Sequence, residues 1–272
     1  VGVLRSDQSW GSAQLSGAVH EVNHGLLSSV AFAGSNLGAP VSVGNNRAPA
    51  GGASALGWAV QGGVKINLPA IATGDTLYLQ GAYGEGTALY TGLPAYNGPW
   101  AQSATAVQGA AFSQFFNDGV INPFTQRLQL STSYSFTAAM LHYWTPAVRS
   151  AFFGSYGALS FARGARAAQG AYFGVTGTGP GTPGTRFFDL SQVLRDSYRF
   201  VAGANLIWSP VKEFDIGVEA IYTRYGPRSG RILDLGRYPN QNAAYVNNPA
   251  NPVSTARHVD VIQVRARVQR DF

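Results

Sequence analysis

Val259-Asp260-Val261-Ile262-Gln263-Val264-Arg265-Ala266-Arg267-Val268-Gln269-Arg270-Asp271-Phe272 is the stretch that decides the fold. From Ile262 onward, Ile262, Val264, Ala266 and Val268 fall on one side. Gln263, Arg265, Arg267, Gln269 and Asp271 fall on the other. Apolar and strongly polar residues alternate with period two, which predicts a β-strand with one oily and one charged face. The stretch ends on an aromatic residue. A soluble sheet rarely reads this way. A transmembrane β-barrel does, because lipid demands alternate apolar residues and a wet lumen tolerates alternate charges.

Composition points the same way. Only 12% of the 272 residues are charged, about half the share usual in soluble proteins. Glycine, at 34 residues, and aromatics, at 12%, are both abundant. No run approaches the roughly 20 apolar residues that a membrane helix needs. Hydrophobicity spread over alternate positions fits a barrel, with a secreted β-sandwich or β-helix as the composition's other reading. Cysteine is absent, which excludes a disulfide framework and thiolate metal sites and suits a bacterial envelope protein. The net charge of +6 comes from scattered residues without a basic run, so no nucleic-acid partner is expected. No signal peptide is recognisable at Val1-Gly2-Val3-Leu4-Arg5, which already reads as strand.

Eight further segments carry the same pattern, near Val1–Asp7, Ser12–Val22, Leu56–Leu68, Thr76–Gly86, Leu128–Tyr143, Val148–Ser160, Ser197–Ser209 and Phe214–Tyr225. In the third, Trp58, Val60, Val64, Ile66 and Leu68 oppose Gln61, Lys65 and Asn67. Short links with turn chemistry (Gln8 to Gly11, Pro69 to Asp75, Thr145 to Ala147, Pro210 to Glu213) alternate with long ones near 23–55, 87–127, 161–196 and 226–258. Loops this long are unusual in a compact soluble domain, whereas membrane barrels pair short periplasmic turns with long extracellular loops. The expectation is a single all-β domain over residues 1–272, a transmembrane antiparallel β-barrel with about nine strands present. The last strand then runs down to a periplasmic Phe272, and Val1 begins outside. An even-stranded barrel with both ends periplasmic makes the nine look like the C-terminal portion of a longer one.

The chain resembles the outer-membrane porins of α-proteobacteria, of the Rhizobium and Brucella type. The resemblance runs through Trp10-Gly11-Ser12-Ala13-Gln14-Leu15-Ser16, the block Gly57 to Pro69, Gly74-Asp75, His142-Tyr143-Trp144-Thr145-Pro146 and Phe153-Gly154-Ser155-Tyr156-Gly157. It continues through Ile207-Trp208-Ser209-Pro210-Val211-Lys212, Phe214-Asp215-Ile216-Gly217-Val218-Glu219 and Arg267-Val268-Gln269-Arg270-Asp271-Phe272. It implies a sixteen-stranded porin in the bacterial outer membrane, homotrimeric in its full-length parent, with Phe272 part of the signal read by the barrel-assembly machinery. It also implies that the inward-folding constriction loop and most of the trimer-forming wall lie in an N-terminal half that is not here.

Candidate sites follow from the two faces. Lys65, Arg149, Arg199, Asp215, Glu219, Arg265 and Arg267 fall on polar faces and are expected to line a water-filled pore, where fixed charges bias ion passage. Arg265 and Arg267 are inward neighbours whose charge persists at any physiological pH. Aromatics beside turns, among them Trp10, Trp58, Tyr143, Trp144, Phe200, Trp208, Phe214, Tyr222 and Phe272, suit girdles at the membrane interfaces.

Enzymatic motifs fare poorly. His20-Glu21-Val22-Asn23-His24 fits H-E-x-x-H, but that zinc site needs a helix. On a strand the two histidines stand about 13 Å apart, so no metal is expected. The glycine clusters at 81–86 and 177–181 lack the Lys-Ser/Thr ending of a phosphate loop, and no G-x-S-x-G elbow occurs. A barrel hydrolase would need Ser/His or Asp/His pairs on its wall, and His142 is the histidine clearly within a strand. The chain is therefore read as no enzyme and without cofactor: a porin passing ions and small hydrophilic solutes through outer-membrane lipid by passive diffusion. The alternative is a surface-exposed barrel with loop-mediated binding or adhesion and no open pore.

Overall fold

The computed structural model describes residues 1–24, 53–93, 112, 114, 116–122, 124–125, 127–173, 179–234, 236–237 and 242–270. The strands are β1 (Gly2–Gln8), β2 (Gly11–His24), β3 (Ala53–Asn67), β4 (Thr76–Glu85), β5 (Gly119–Ile121), β6 (Leu128–Leu130), β7 (Thr132–Thr145) and β8 (Val148–Ser160). There follow β9 (Ser197–Val211), β10 (Phe214–Pro227), β11 (Ile232–Leu233), β12 (Thr255–Ala256) and β13 (Val259–Arg270). Nine of them form one sheet in the order β1-β2-β3-β4-β7-β8-β9-β10-β13, with every neighbouring pair antiparallel. The protein is therefore all-β and its main sheet is a meander. Among the described residues no ladder joins β1 to β13.

The predicted strands and the observed ones coincide to within about three residues at each end, except at one place. Leu128–Tyr143 reads as a continuous strand in the sequence, but it breaks at Ser131. The Ser131 carbonyl accepts from Gly86 N–H at 2.8 Å and its own N–H donates to the Asp118 carbonyl at 2.9 Å. The segment before the break therefore leaves the main ladder and pairs as β6 with β5. The long connections are also less bare than their composition suggests. They carry β5, β6, β11, β12 and three short helices, α1 (Ala165–Phe173), α2 (Arg186–Leu190) and α3 (Ala243–Asn247). Thr185 and Asn242 cap α2 and α3 by accepting from Phe188 N–H and Tyr245 N–H. The connection expected near 23–55 lies almost wholly outside the described residues.

Turn chemistry fixes the registers. The Thr145 hydroxyl accepts from Ala147 and Val148 N–H at 3.3 and 3.0 Å, closing the β7–β8 hairpin. The β9–β10 link is tighter than the sequence implies: β9 runs to Val211, and Glu213 takes φ 64° at the corner. The β1–β2 turn depends on Gly11, whose φ is +148°. A Cβ there would lie 1.9 Å from the Lys65 carbonyl oxygen on β3.

Buried apolar residues do not lie between stacked sheets. They gather where the long connections meet the sheet. One cluster joins Ala88, Leu93, Phe116, Val120, Leu159, Phe161, Ala165 and Leu194. A second joins Phe187, Leu233, Ala243 and Val246, and a third joins Phe112, Tyr225 and Ile232, with Val259 and Val261 against it.

Gly11→Ala should misplace the β1–β2 hairpin, since the added carbon meets backbone rather than a side chain that could swing away. We expect a loss exceeding about 1 kcal/mol, seen as an earlier urea midpoint. Gly164→Ala, where φ is also positive but nothing stands within 4 Å, should cost less.

Candidate functional site

Cross-strand partners share a face, so the registers sort every residue of the sheet. One rung reads Ala13, Val64, Leu79, Ala138, Gly154, Ala202, Tyr222, Ile262 across β2 to β13. The neighbouring rung reads Ser12, Lys65, Tyr78, Ala139, Phe153, Gly203, Ile221, Gln263. The first face is apolar and outward-exposed, with Val218, Val264 and Leu206 all solvent-accessible. The second carries most of the charges. Lys65, Arg149, Arg199, Asp215, Glu219, Arg265 and Arg267 all lie on it. On the first, Glu85, Arg224 and Asp260 lie toward the long connections and Arg270 toward the short links, at the ends of the strands.

The polar face is a network of ion pairs. Arg149 reaches Asp215 at 2.6 Å and donates to the Ser209 hydroxyl at 2.7 Å, while Ser209 donates to the other Asp215 oxygen at 2.5 Å. Arg265 reaches Glu219 at 2.6 Å, Arg5 reaches Asp7 at 2.9 Å, and the Lys65 ammonium stands 5.8 Å from the Tyr78 ring centre. The charge of Arg267 acts on Asp215 from β13. These side chains are partly exposed, the Arg149–Asp215 pair at 24% and 37%. Such pairs contribute only about 0–1 kcal/mol each, so they set where charge stands rather than hold the sheet together.

The apolar face is bounded by aromatic residues. Trp58 opposes Glu85, which puts Tyr83 two residues lower on β4, and Tyr83 opposes Tyr134. Tyr134 opposes Ala158, which puts Tyr156 two lower; Tyr156 opposes Phe200; and Phe200 opposes Arg224, which puts Tyr222 two lower again. Ring centres along this line are 5.6 Å apart for Trp58–Tyr83, 6.2 Å for Tyr134–Tyr156 and 6.3 Å for Phe200–Tyr222. The line drops about 20 Å along the strands while crossing about 24 Å of sheet, an inclination of about 40°. Membrane barrels tilt their strands by about 35–45°, so the line is level when the strands are tilted as a bilayer requires. Trp144, Trp208 and Phe214 mark a second line toward the short links. Eight to ten residues separate the two lines, about 21–26 Å after correction for the tilt. Tyr143 does not join either line: it opposes Arg149, on the polar face. Trp10 sits in the β1–β2 turn, and Phe272 lies outside the described residues.

Two features were not anticipated. The first is a segment of the 86–131 connection lying on the polar face. Phe112, 1% exposed, packs against Tyr225, Val259 and Val261 of β10 and β13. The Gln114 amide donates to the Tyr198 carbonyl at 2.6 Å. Phe116 joins Leu159 and Leu194, and Asp118 accepts from Ala88 N–H at 2.8 Å and stands 3.7 Å from His20 on β2. Burial raises the Asp118 carboxyl above its ordinary value, against the pull of the Ala88 N–H and of His20. The segment thus touches the sheet from β2 to β13. The family resemblance implies a constriction loop elsewhere, yet this chain folds one of its own connections across the charged wall. Phe112 and Phe116 in a Gly- and Ala-rich stretch were the available signal.

The second is on the other face. Asp75, 1% exposed, accepts from Tyr143 N–H at 2.8 Å and meets His142 Nδ1 at 2.6 Å. Trp144 sets its ring edge-on to His142, centres 4.4 Å apart, and donates its indole N–H to the Ser150 hydroxyl at 2.9 Å. Ser150 opposes His142 across the β7–β8 ladder. An Asp/His pair with a nearby serine is the arrangement a wall-borne hydrolase would need. Here, however, the hydroxyl is held by Trp144, and the serine is 5% exposed. The group reads as a clamp tying the β3–β4 turn to β7. His20 and His24 both lie on strand β2, which runs two residues past its expected end at Val22.

The two comparisons of sequence return nothing: no protein-family model matches the chain, and no curated protein matches it. Among solved structures the chain is similar to the outer membrane channel DcaP of Acinetobacter baumannii, with 11% identity and a TM-score of 0.43. The match covers 97% of this chain and 50% of that one, so the chain spans about half the length of the channel.

Burial raises the Asp75 carboxyl most strongly, but the His142 bond, the Tyr143 N–H and the nearby imidazole charge together outweigh it and hold it below its ordinary value. A carboxylate lowered in the folded state stabilises above its unfolded value, about pH 3.9, and loses that contribution as pH falls through the lower folded value. Asp75→Asn should therefore lower the temperature at which the protein unfolds at pH 7, and the difference from wild type should shrink below about pH 4. A difference unchanged at acid pH would count against the clamp.

Proposed function

We propose that this chain forms the wall of an outer-membrane porin that passes ions and small hydrophilic solutes by passive diffusion. One observation carries the reading. A two-faced antiparallel sheet has its apolar face bounded by two aromatic lines about 21–26 Å apart at the strand tilt of a membrane barrel, and the charges at the depth between those lines on the reverse. A bilayer is the solvent that accepts such an apolar face, and a water-filled lumen is the solvent that accepts the other. In that setting Lys65, Arg149, Arg199, Asp215, Glu219, Arg265 and Arg267 line the pore, and Trp58, Trp144, Trp208 and Phe214 lie at the interfaces. The segment from Phe112 to Asp118 narrows the lumen.

The sequence resemblance to α-proteobacterial porins supports this reading and extends it. In the intact protein the barrel assembles as a homotrimer in the outer membrane, and Phe272 contributes to recognition by the barrel-assembly machinery. No bond is made or broken, and the Trp144 indole N–H engages the hydroxyl of Ser150, the serine opposite His142.

Single-channel recording across a planar bilayer tests the proposal. Large, steady current steps from the purified intact protein are expected. Silence from correctly folded protein would favour a barrel whose loops bind partners at the cell surface. The membrane face has its own test. Val218 lies midway between Tyr222 and Phe214 and is 54% exposed, so Val218→Arg should cost about 2–4 kcal/mol in lipid. Gln263→Arg, on the polar face, should stay within about 0.5 kcal/mol. Equal costs in a vesicle-based urea titration would contradict the assignment of faces.

A further inference from the structure

The wall charges do not balance, and on the porin reading this imbalance names the class of solute. We propose that the pore prefers anions. Each of the three carboxylates described on the polar side of the nine strands is taken by one arginine, in the pairs Arg5–Asp7, Arg149–Asp215 and Arg265–Glu219, and Asp118, on the segment laid over that face, stands 3.7 Å from His20. Lys65, Arg199 and Arg267 remain; no carboxylate among the described residues stands within ion-pair distance of them, and Arg267 acts only at longer range on Asp215, which Arg149 already holds. Their depths differ. Arg199 follows Tyr198 and precedes Phe200 at the upper aromatic line. Lys65 lies seven residues below Trp58 on β3, and Arg267 lies five below Ile262, the partner of Tyr222, on β13. Positive charge in excess of the carboxylates therefore stands at the entrance and again in the lower half of the apolar band, on opposite stretches of the wall.

The mouth adds to it. Arg195 donates to the carbonyls of Asp189, Ser229 and Arg231 at 3.0–3.2 Å. Arg166 donates to the carbonyls of Phe188, Ser191 and Val193. Arg231 binds the Thr255 hydroxyl and carbonyl, and Arg228 the Ser160 hydroxyl. These bonds hold the guanidiniums in place, and the nearby Asp189 and Asp196 carboxylates offset part of the charge of Arg166 and Arg195; Arg228 and Arg231 add two further cations. Burial and the neighbouring Arg195, opposed by Asp189 and Asp196, lower the Arg166 guanidinium to about 10, which still leaves it charged near neutral pH. Fixed cations at the mouth and along a low-dielectric wall concentrate anions and repel cations.

The zero-current potential of the intact protein in a KCl gradient reads this directly. A chloride-to-potassium permeability ratio above about 2 is expected. Changing Lys65→Glu together with Arg267→Glu should lower that ratio at least about threefold, while Lys65→Arg should leave it within about 20% of wild type. A wild-type ratio below one, with large current steps present, would overturn the anion preference and leave the porin reading intact. A ratio that the double variant does not move would overturn the assignment to these two residues. Folded protein without steps would overturn both readings. The wild-type measurement decides the sign even if a variant fails to assemble.

Discussion

Everything else in this protein depends on one constraint: the backbone ladder runs across nine strands, with register shifts only beside the short links at Tyr143–Thr145 and Phe214–Ile216, and its registers keep the two side-chain sets apart. A slip of one residue in any pair would put Arg265 or Lys65 on the apolar face and Val264 or Val64 on the charged one. Eight ladders in series leave little room for that. The hydrogen bonds that make the ladder also satisfy the backbone internally, which a bilayer demands of any segment crossing it. Order in the sheet and compatibility with lipid have the same source.

Much of this was legible in the sequence. The strands announce themselves by alternation, and the hairpins by Gly11, Asp75, Thr145 and Glu213. What could not be read are the departures caused by partners distant in sequence. Leu128–Leu130 alternates as well as the residues after it, yet Ser131 turns it toward Asp118 and β5. Tyr143 stands beside Trp144 and near a turn, but alternation alone decides which faces lipid. Asp75 looks like an ordinary turn residue until His142, sixty-seven positions away, closes on it. Seven charged positions of the wall were visible as polar-face residues, while the Arg5–Asp7 pair was not singled out. Which of them pair was not visible, because pairing depends on side chains meeting across strands and along diagonals.

The clamp at Asp75 and the wall at Arg149 show two uses of the same chemistry. Asp75 is enclosed, with a neutral backbone donor on one oxygen and an imidazole on the other, and it secures a turn. Asp215 is open to solvent, shared by an arginine and a serine with a second arginine near, and it shapes a field. Burial decides which role a carboxylate can take. A sequence pattern distinguishes the faces and says much less about enclosure.

The segment carrying Phe112 has a bearing on the order of events during folding. The meander can be laid down hairpin by hairpin, because each long strand meets its sequence neighbour among the nine. Phe112 cannot settle then. The surfaces it packs on, Tyr225, Val259 and Val261, come more than a hundred residues later in the chain. The entropic cost of closing so long a loop grows only slowly with length, but the contact has nothing to close on until the last strand is in place. Docking of Phe112 on the polar face thus waits on β10 and β13, and the segment joins a sheet already laid down beneath it.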